Sequence, residues 1–253
     1  MPAPPADPRA APPAGERLAK AIARAGLCSR RQAEDWIRLG RVSVDGTVVN
    51  TPAFNVDASA VVAVDGTVLP QPPKARLWRY HKPPGLVTTH RDPENRPTVF
   101  QRLPAELGRV ISVGRLDLTS EGLLLLTNSG ALARHLELPS TGWTRRYRVR
   151  AFGSIDQATL NKLRAGIRLN GIDYGPIEAE LELVKGSNVW MTLALREGKN
   201  REIRIVLDHL GLTVNRLIRM AFGPFQLGHL ARGEVAPVPP KALKDQLGPS
   251  VPL

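Results

Sequence analysis

"SVGRLDLTSEGLLLLTNSG", residues 112–130, sets a polar, glycine-bounded loop between two short apolar runs. The run before it, "RVISV", and the run after it, "LLLLT", are too short for helices, so each is predicted as an interior strand. Asp117 then stands at a strand-to-strand junction. A loop whose two ends are anchored in a core keeps its geometry while its tip stays accessible, which is where reactive groups are usually held.

The chain that carries this carboxylate is strongly basic. In 253 residues it has 35 Lys and Arg against 23 Asp and Glu, a net charge of +12. Such a field suits a polyanion, although a well-solvated basic surface would have the same composition. The 42% hydrophobic content is that of a globular protein, and the length allows a large domain with a small module. One cysteine, Cys28, excludes an internal disulfide, and the five histidines are scattered, so no metal site is expected. The N-terminal "MPAPPADPRAAPPAG" lacks the apolar core of a signal peptide, and no apolar run is long enough to span a bilayer. A cytoplasmic protein without membrane partners is expected. Residues 1–15 and the tail 241–253 read as flexible because their prolines disrupt regular ladders.

From residue 16 the pattern becomes regular. Leu18, Ala21, Ile22 and Ala25 repeat at helical spacing before Gly26. Ser29 and Gln32 form a capping box ahead of a second helix, in which Ala33, Trp36 and Ile37 continue an apolar face to Gly40. "RVSVDGTVV" then alternates around Asp45-Gly46, a tight-hairpin signal, and "VSVDGTV" at 42–48 returns as "VAVDGTV" at 62–68. Arg17, Lys20, Arg24, Arg30, Arg31, Arg38 and Arg41 make this module a candidate phosphate grip. The helix-helix-hairpin unit resembles the S4-type RNA-binding domain. With the proline-rich linker "LPQPPKA" it is assigned to 16–75.

Residues 76–240 mix strand-like pieces, "RLWRYHKP", "RRYRVRAFG" and "VWMTLALREG", with helix-like ones, "GALARHLEL", "IDQATLNKLRAGI" and "NREIRIVLDHLGL". The fold class is therefore α+β. There is no GxxxxGK[ST], GxGxxG or GxSxG pattern, so nucleotide-phosphate, dinucleotide and serine-hydrolase chemistry have no signature.

"GRLDLTSEGLLLLTN", "HKPPGLVTT", "DPENRPTVFQRLP", "RRYRVRAFG" and "LREGKNREIRIVLDHLGLTVNRLIRMAFGPF" together resemble the successive motifs of the bacterial RsuA/RluB/RluE/RluF group of ribosomal-RNA pseudouridine synthases. The resemblance implies a catalytic domain with a mixed, mainly antiparallel sheet flanked by helices. It also implies a cofactor-free isomerase that turns uridine in rRNA into pseudouridine. The stretches around 91–104 and 197–220 are nearer to the RluB type, which works on 23S rRNA, so 23S rRNA or a large-subunit assembly intermediate is the expected partner and a monomer the expected state. A 16S-directed synthase and a non-catalytic S4-type assembly factor are the alternatives.

Carried over by motif, the resemblance makes Asp117 the catalytic aspartate, acting as nucleophile or as base. Arg204 becomes its cationic partner and Tyr147 the residue that stacks on the target base. Arg115, two positions before Asp117, is expected to help extrude the uridine. Ile203 is expected in the base pocket, and Lys82 in pocket support or phosphate contact, with stabilisation of its own turn as the alternative. Lys199 and Arg201 of "EGKNRE" are expected to touch RNA. One departure is visible: Arg204 is followed by Ile205, where relatives often place a second basic residue.

Overall fold

The computed structural model describes residues 15–248, and its contacts divide the chain into two compact units after Lys74. Expectations for residues 1–14 and 249–253 lie outside the described residues.

In the first unit, helices α1 (Leu18–Arg24) and α2 (Arg30–Arg38) precede strands β1 (Val42–Val44), β2 (Thr47–Val49), β3 (Val62–Val64) and β4 (Thr67–Val68). The capping box opens α2: the Ser29 hydroxyl accepts the Gln32 N–H at 3.2 Å, and the Gln32 side chain accepts the Ser29 N–H at 3.0 Å. Asp45 and Asp65 both take positive φ, each followed by a glycine, as two-residue hairpins require. The sequence repeat thus becomes two hairpins, and their first strands, β1 and β3, pair antiparallel in the order β2-β1-β3-β4. Leu18, Ile22, Ala33 and Ile37 of the helices pack on Val42 and Val64 in one small core.

The second unit is built on one large sheet. Its strands are β5 (Leu77–Lys82), β6 (Ile111–Val113), β7 (Ser120–Thr127), β8 (Arg145–Phe152), β9 (Ile177–Lys185), β10 (Asn188–Leu195), β11 (Thr213–Phe222) and β12 (Val235–Pro237). The order is β9-β10-β8-β11-β7-β5-β12, with β6 on the far end of β7. These pairings are antiparallel except β11 with β7, which is parallel. Helices α3 (Gly130–Glu137), α4 (Glu202–His209) and α5 (Pro240–Leu247) flank it.

Strand β7 explains why "LLLL" lacks alternation: both of its faces are covered. Leu123 and Leu125 pack with Leu132 and Leu136 of α3, while Leu124 and Leu126 pack with Trp78, Tyr80 and Leu116. All four leucines are fully buried, each contributing about 1.5–3 kcal/mol by removal from water.

The tail from 241 does not behave as expected. Pro240 opens α5, where a missing N–H costs nothing, and Leu243 is buried against the α3 side of the sheet. Just before it, Pro237 ends an edge strand, where proline is tolerated. The segment "IDQATLNKLRAGI" yields only one short helical turn, Gln157–Asn161, before it tightens into a 3-10 turn.

The parallel junction leaves no room for a side chain at Gly122. Its φ is +103°, and a Cβ there would lie 2.7 Å from the Arg219 backbone nitrogen. Gly122→Ala is expected to cost about 3 kcal/mol or more, read as a lower midpoint in chemical denaturation.

Candidate active site

Asp117 sits in the turn joining β6 to β7, and its loop is fastened from every side. The Gly114 N–H donates to the Glu137 carboxylate of α3 at 2.6 Å. The Thr88 hydroxyl donates to the Leu116 carbonyl at 2.8 Å and accepts the Leu116 N–H at 3.3 Å. The Gly85 N–H reaches the Leu118 carbonyl at 2.7 Å. Each of these partners is distant in sequence, and two of the residues, Gly85 and Thr88, come from "HKPPGLVTT".

The third partner from that stretch is Lys82, whose residue is fully buried. Its ammonium donates to the carbonyls of Pro83 at 3.1 Å, Asp117 at 3.2 Å and Ser120 at 2.9 Å. All three of its hydrogens are therefore spent on main chain. Burial pulls its pKa down to about 8, against the opposing attraction of Asp117 and Glu121 and with the help of Arg219. Of the roles expected for Lys82, the geometry fits the structural one: a side chain with no exposure and three carbonyl acceptors ties β5 to the Asp117 loop and has no donor left for phosphate.

Lys82, Gly122, Arg219 and Tyr147 are register partners across β5, β7, β11 and β8, forming one row through the middle of the sheet. Paired residues project to the same face of a sheet. Tyr147 is half-buried and packs against the core clusters on both sides of that row. Arg204, on α4, is half-buried, and its Nη1 donates to the Val214 carbonyl at 3.1 Å. Burial lowers the Arg204 pKa, as does Arg201, while Asp117 opposes that. The Asp117 carboxylate is thus within electrostatic reach of Arg204, yet among the described residues it forms no ion pair. Its backbone carbonyl is occupied; its side chain is left open.

The other expected site residues separate into groups. Arg115 is exposed at the rim of the loop. Ile203 is 5% exposed among Val206, Leu207 and Leu193, in the core cluster against which Tyr147 packs. Lys199 is exposed but paired with Glu197, and Arg201 is exposed in a left-handed backbone conformation. In the first unit all seven basic candidates are exposed. Lys20 and Arg24 pair with Glu16, Arg38 with Glu34 and Asp35, and Arg41 with Asp65. Arg17, Arg30 and Arg31 carry no ion pair among the described residues.

Three charged residues that are only 3% exposed carry no role in the sequence reading. Arg219 is 3% exposed, donates through Nε to the Leu123 carbonyl at 2.7 Å, and leaves Nη2 without a partner. Glu121 is 3% exposed between Arg216 and Arg232. Burial would raise its pKa, but those two guanidinium groups hold it below the ordinary range. Glu202 opens α4 and is also 3% exposed. An arginine interrupting the apolar "LIRMAF" was the available signal for Arg219. No such signal marks the glutamates. Among the described residues no group of three or more His, Cys, Asp or Glu side chains converges as a metal ion would require.

Replacing Lys82 by methionine keeps the volume and removes the donors. With three inward-facing carbonyls unpaired, Lys82→Met is expected to lose about 2–4 kcal/mol by chemical denaturation. Amide hydrogen exchange at residues 116–120 should accelerate by about tenfold or more, because the loop opens locally before the rest of the sheet does.

Comparison with known proteins agrees with this geometry. A family model described as RNA pseudouridylate synthase matches residues 76–209, and one for the S4 domain matches 16–62. An uncharacterised RNA pseudouridine synthase of Rickettsia felis is 49% identical over 90% of this chain and 99% of its own length. The ribosomal large subunit pseudouridine synthase B of Pasteurella multocida is 42% identical over 84% of this chain and 64% of its own. A crystal structure of a pseudouridylate synthase superposes with a TM-score of 0.64 at 26% identity, covering 92% of this chain and all of the other. With half the chain matched by the family model and nearly all of it by such relatives, the protein belongs to the RNA pseudouridine synthase family, its synthase domain preceded by an S4 domain.

Proposed function

We propose that this synthase converts a uridine of 23S ribosomal RNA to pseudouridine, with Asp117 as the reacting carboxylate. The observation that carries the reading is the open Asp117 side chain, on a loop tied down through its backbone and within electrostatic reach of Arg204. The large-subunit assignment rests on the likeness to the Pasteurella enzyme, whose name gives that subunit.

The rearrangement breaks the bond between ribose C1′ and uracil N1, rotates the base and joins C5 to C1′. N1 gains a proton and C5 loses one, so the overall change is redox-neutral and needs no group donor. A carboxylate serves at two places in such a sequence: attacking C1′ as a nucleophile, or removing the C2′ proton as a base. Both require it ionised. Shielding by a bound nucleotide would favour the neutral acid, and the Arg204 guanidinium opposes that. Tyr147 offers a face for the extruded base, a contact of about 1–3 kcal/mol. Arg115, exposed two residues before Asp117, is placed to fill the space the base leaves or to hold its phosphate.

The S4 unit supplies affinity. Of its basic side chains, Arg17, Arg30 and Arg31 have no carboxylate to give up before they meet phosphate. Replacing all three with alanine is expected to lower the slope of log affinity for rRNA against log salt by about 2, as three lost phosphate contacts would.

The deciding experiment follows tritium release from 23S and 16S transcripts labelled at uracil C5. The parent protein should release label from 23S RNA, and Asp117→Asn should fall by about 1,000-fold or more while keeping its RNA affinity. Equal activity in the variant would remove Asp117 from the chemistry. Release from 16S RNA alone would reassign the substrate. Silence from the parent on both transcripts and on assembly intermediates, with binding intact, would make the chain a binding factor.

A further inference from the structure

The segment 196–201, between β10 and α4, is built around two carboxyl groups that the reaction does not use. Glu202, at the start of α4, accepts the Lys199 N–H on Oε2 at 3.0 Å; its Oε1 is buried and meets no donor. Glu197 accepts the Gly175 N–H at 2.5 Å and the Lys199 ammonium. Glu197 and Glu202 are gathered on one residue, Lys199, which gives its ammonium to the first and its N–H to the second, and Glu197 raises the pKa of Glu202. Two ionised carboxylates brought together in this way have only acceptors to offer each other, whereas one proton gives the pair a donor. A proton on Glu202 turns its buried, unpartnered oxygen into a donor.

The surrounding charges fit one negative charge on the pair better than two. Lys199 faces it from the segment itself, its ammonium 5.8 Å from the centre of the Tyr174 ring. From β8, Arg145 feels the charge of Glu202, and its Nη1 donates to the carbonyls of Trp143 and Arg196. Arg201 and Arg204 follow on the same helix start. Burial first, and then Glu197, raises the Glu202 carboxyl to about 7, against the pull of the Lys199 N–H and ammonium.

We propose that Glu202 is a positioning residue of the synthase: a proton held between its carboxyl and that of Glu197 fastens segment 196–201 to the start of α4, and with it Lys199, Arg201 and Arg204. This rests on the reading above, in which those basic residues meet RNA and support Asp117. A carboxyl whose folded pKa lies above its unfolded one contributes stability in full below the unfolded value, about 4.3, and loses it as pH rises through the folded one, about 7 here. Above neutrality the two carboxylates repel and the segment loosens.

Two series test this between about pH 6 and about pH 8.5. In thermal unfolding, the parent midpoint should fall with pH. Glu202→Gln and Glu197→Gln, whose amides donate the contact at every pH, should fall less steeply. Lys82 titrates in the same window in all three proteins and cancels in the comparison. In tritium release, the parent KM should rise by about three- to tenfold across the range, and that of Glu202→Gln by less than about twofold. Equal melting slopes for parent and both variants overturn the shared proton. Different slopes with equal KM profiles overturn the positioning role. A parent without activity at any pH defeats the functional reading, and the melting series still decides the carboxyl pair.

Discussion

One buried ammonium ion sets the geometry from which the site follows. Lys82 ends β5, and two of its three hydrogens reach carbonyls of the turn that carries Asp117, at Asp117 and Ser120, while the third goes to Pro83. Taking a charge out of water costs several kcal/mol unless it is fully bonded, so the arrangement persists only with all three acceptors in place. That requirement makes the tie stiff. A surface lysine would tolerate a shift of an ångström in the loop, whereas a buried one with three carbonyl partners does not. Thr88, Gly85 and Glu137 add to the same constraint, and together they hold a half-exposed carboxylate on a main chain with little freedom.

The tie works because of where the sheet changes direction. β7 meets β11 in the one parallel pairing of the large sheet, beside the turn, and Gly122 is the residue where the two backbones touch. Close approach there puts Arg219, Lys82 and Tyr147 in a single row, so side chains from three strands address the same small region. A side chain at 122 would push β11 away and break the row. The glycine in "SEGLLLL" is a packing requirement, and the four leucines after it, buried on both faces, supply much of the free energy that the charged residues at the site consume.

Much of this was legible in the sequence because it obeys local rules. The capping box, the paired Asp-Gly hairpins and the apolar run of β7 are periodicities or turn chemistries confined to a few residues, and the motif around Asp117 marked the site. What was not legible depends on distant partners. Which of its expected roles Lys82 takes could not be read, because its acceptors lie 35 and 38 positions away. Nothing in the neighbours of Glu202 announces its burial, and Arg219 is marked only by its place inside the apolar "LIRMAF". The tail was misread for another reason: a proline that breaks a ladder also starts a helix, and only the contact made by Leu243 decides between the two.

The choice of partner for Lys82 has a chemical consequence. An ammonium bonded to the Asp117 carboxylate would fix the loop equally well, but it would occupy the oxygens proposed to react and lower their basicity. Bonded to the backbone carbonyl of the same residue, it secures position and leaves the carboxylate free. Arg204 stands in a similar relation from α4: it lies within electrostatic reach of the Asp117 carboxylate without pairing with it among the described residues. Held this way, the carboxylate keeps its reach, which a direct salt bridge would not allow. The free energy spent on the buried Lys82 thus positions the acid without neutralising it.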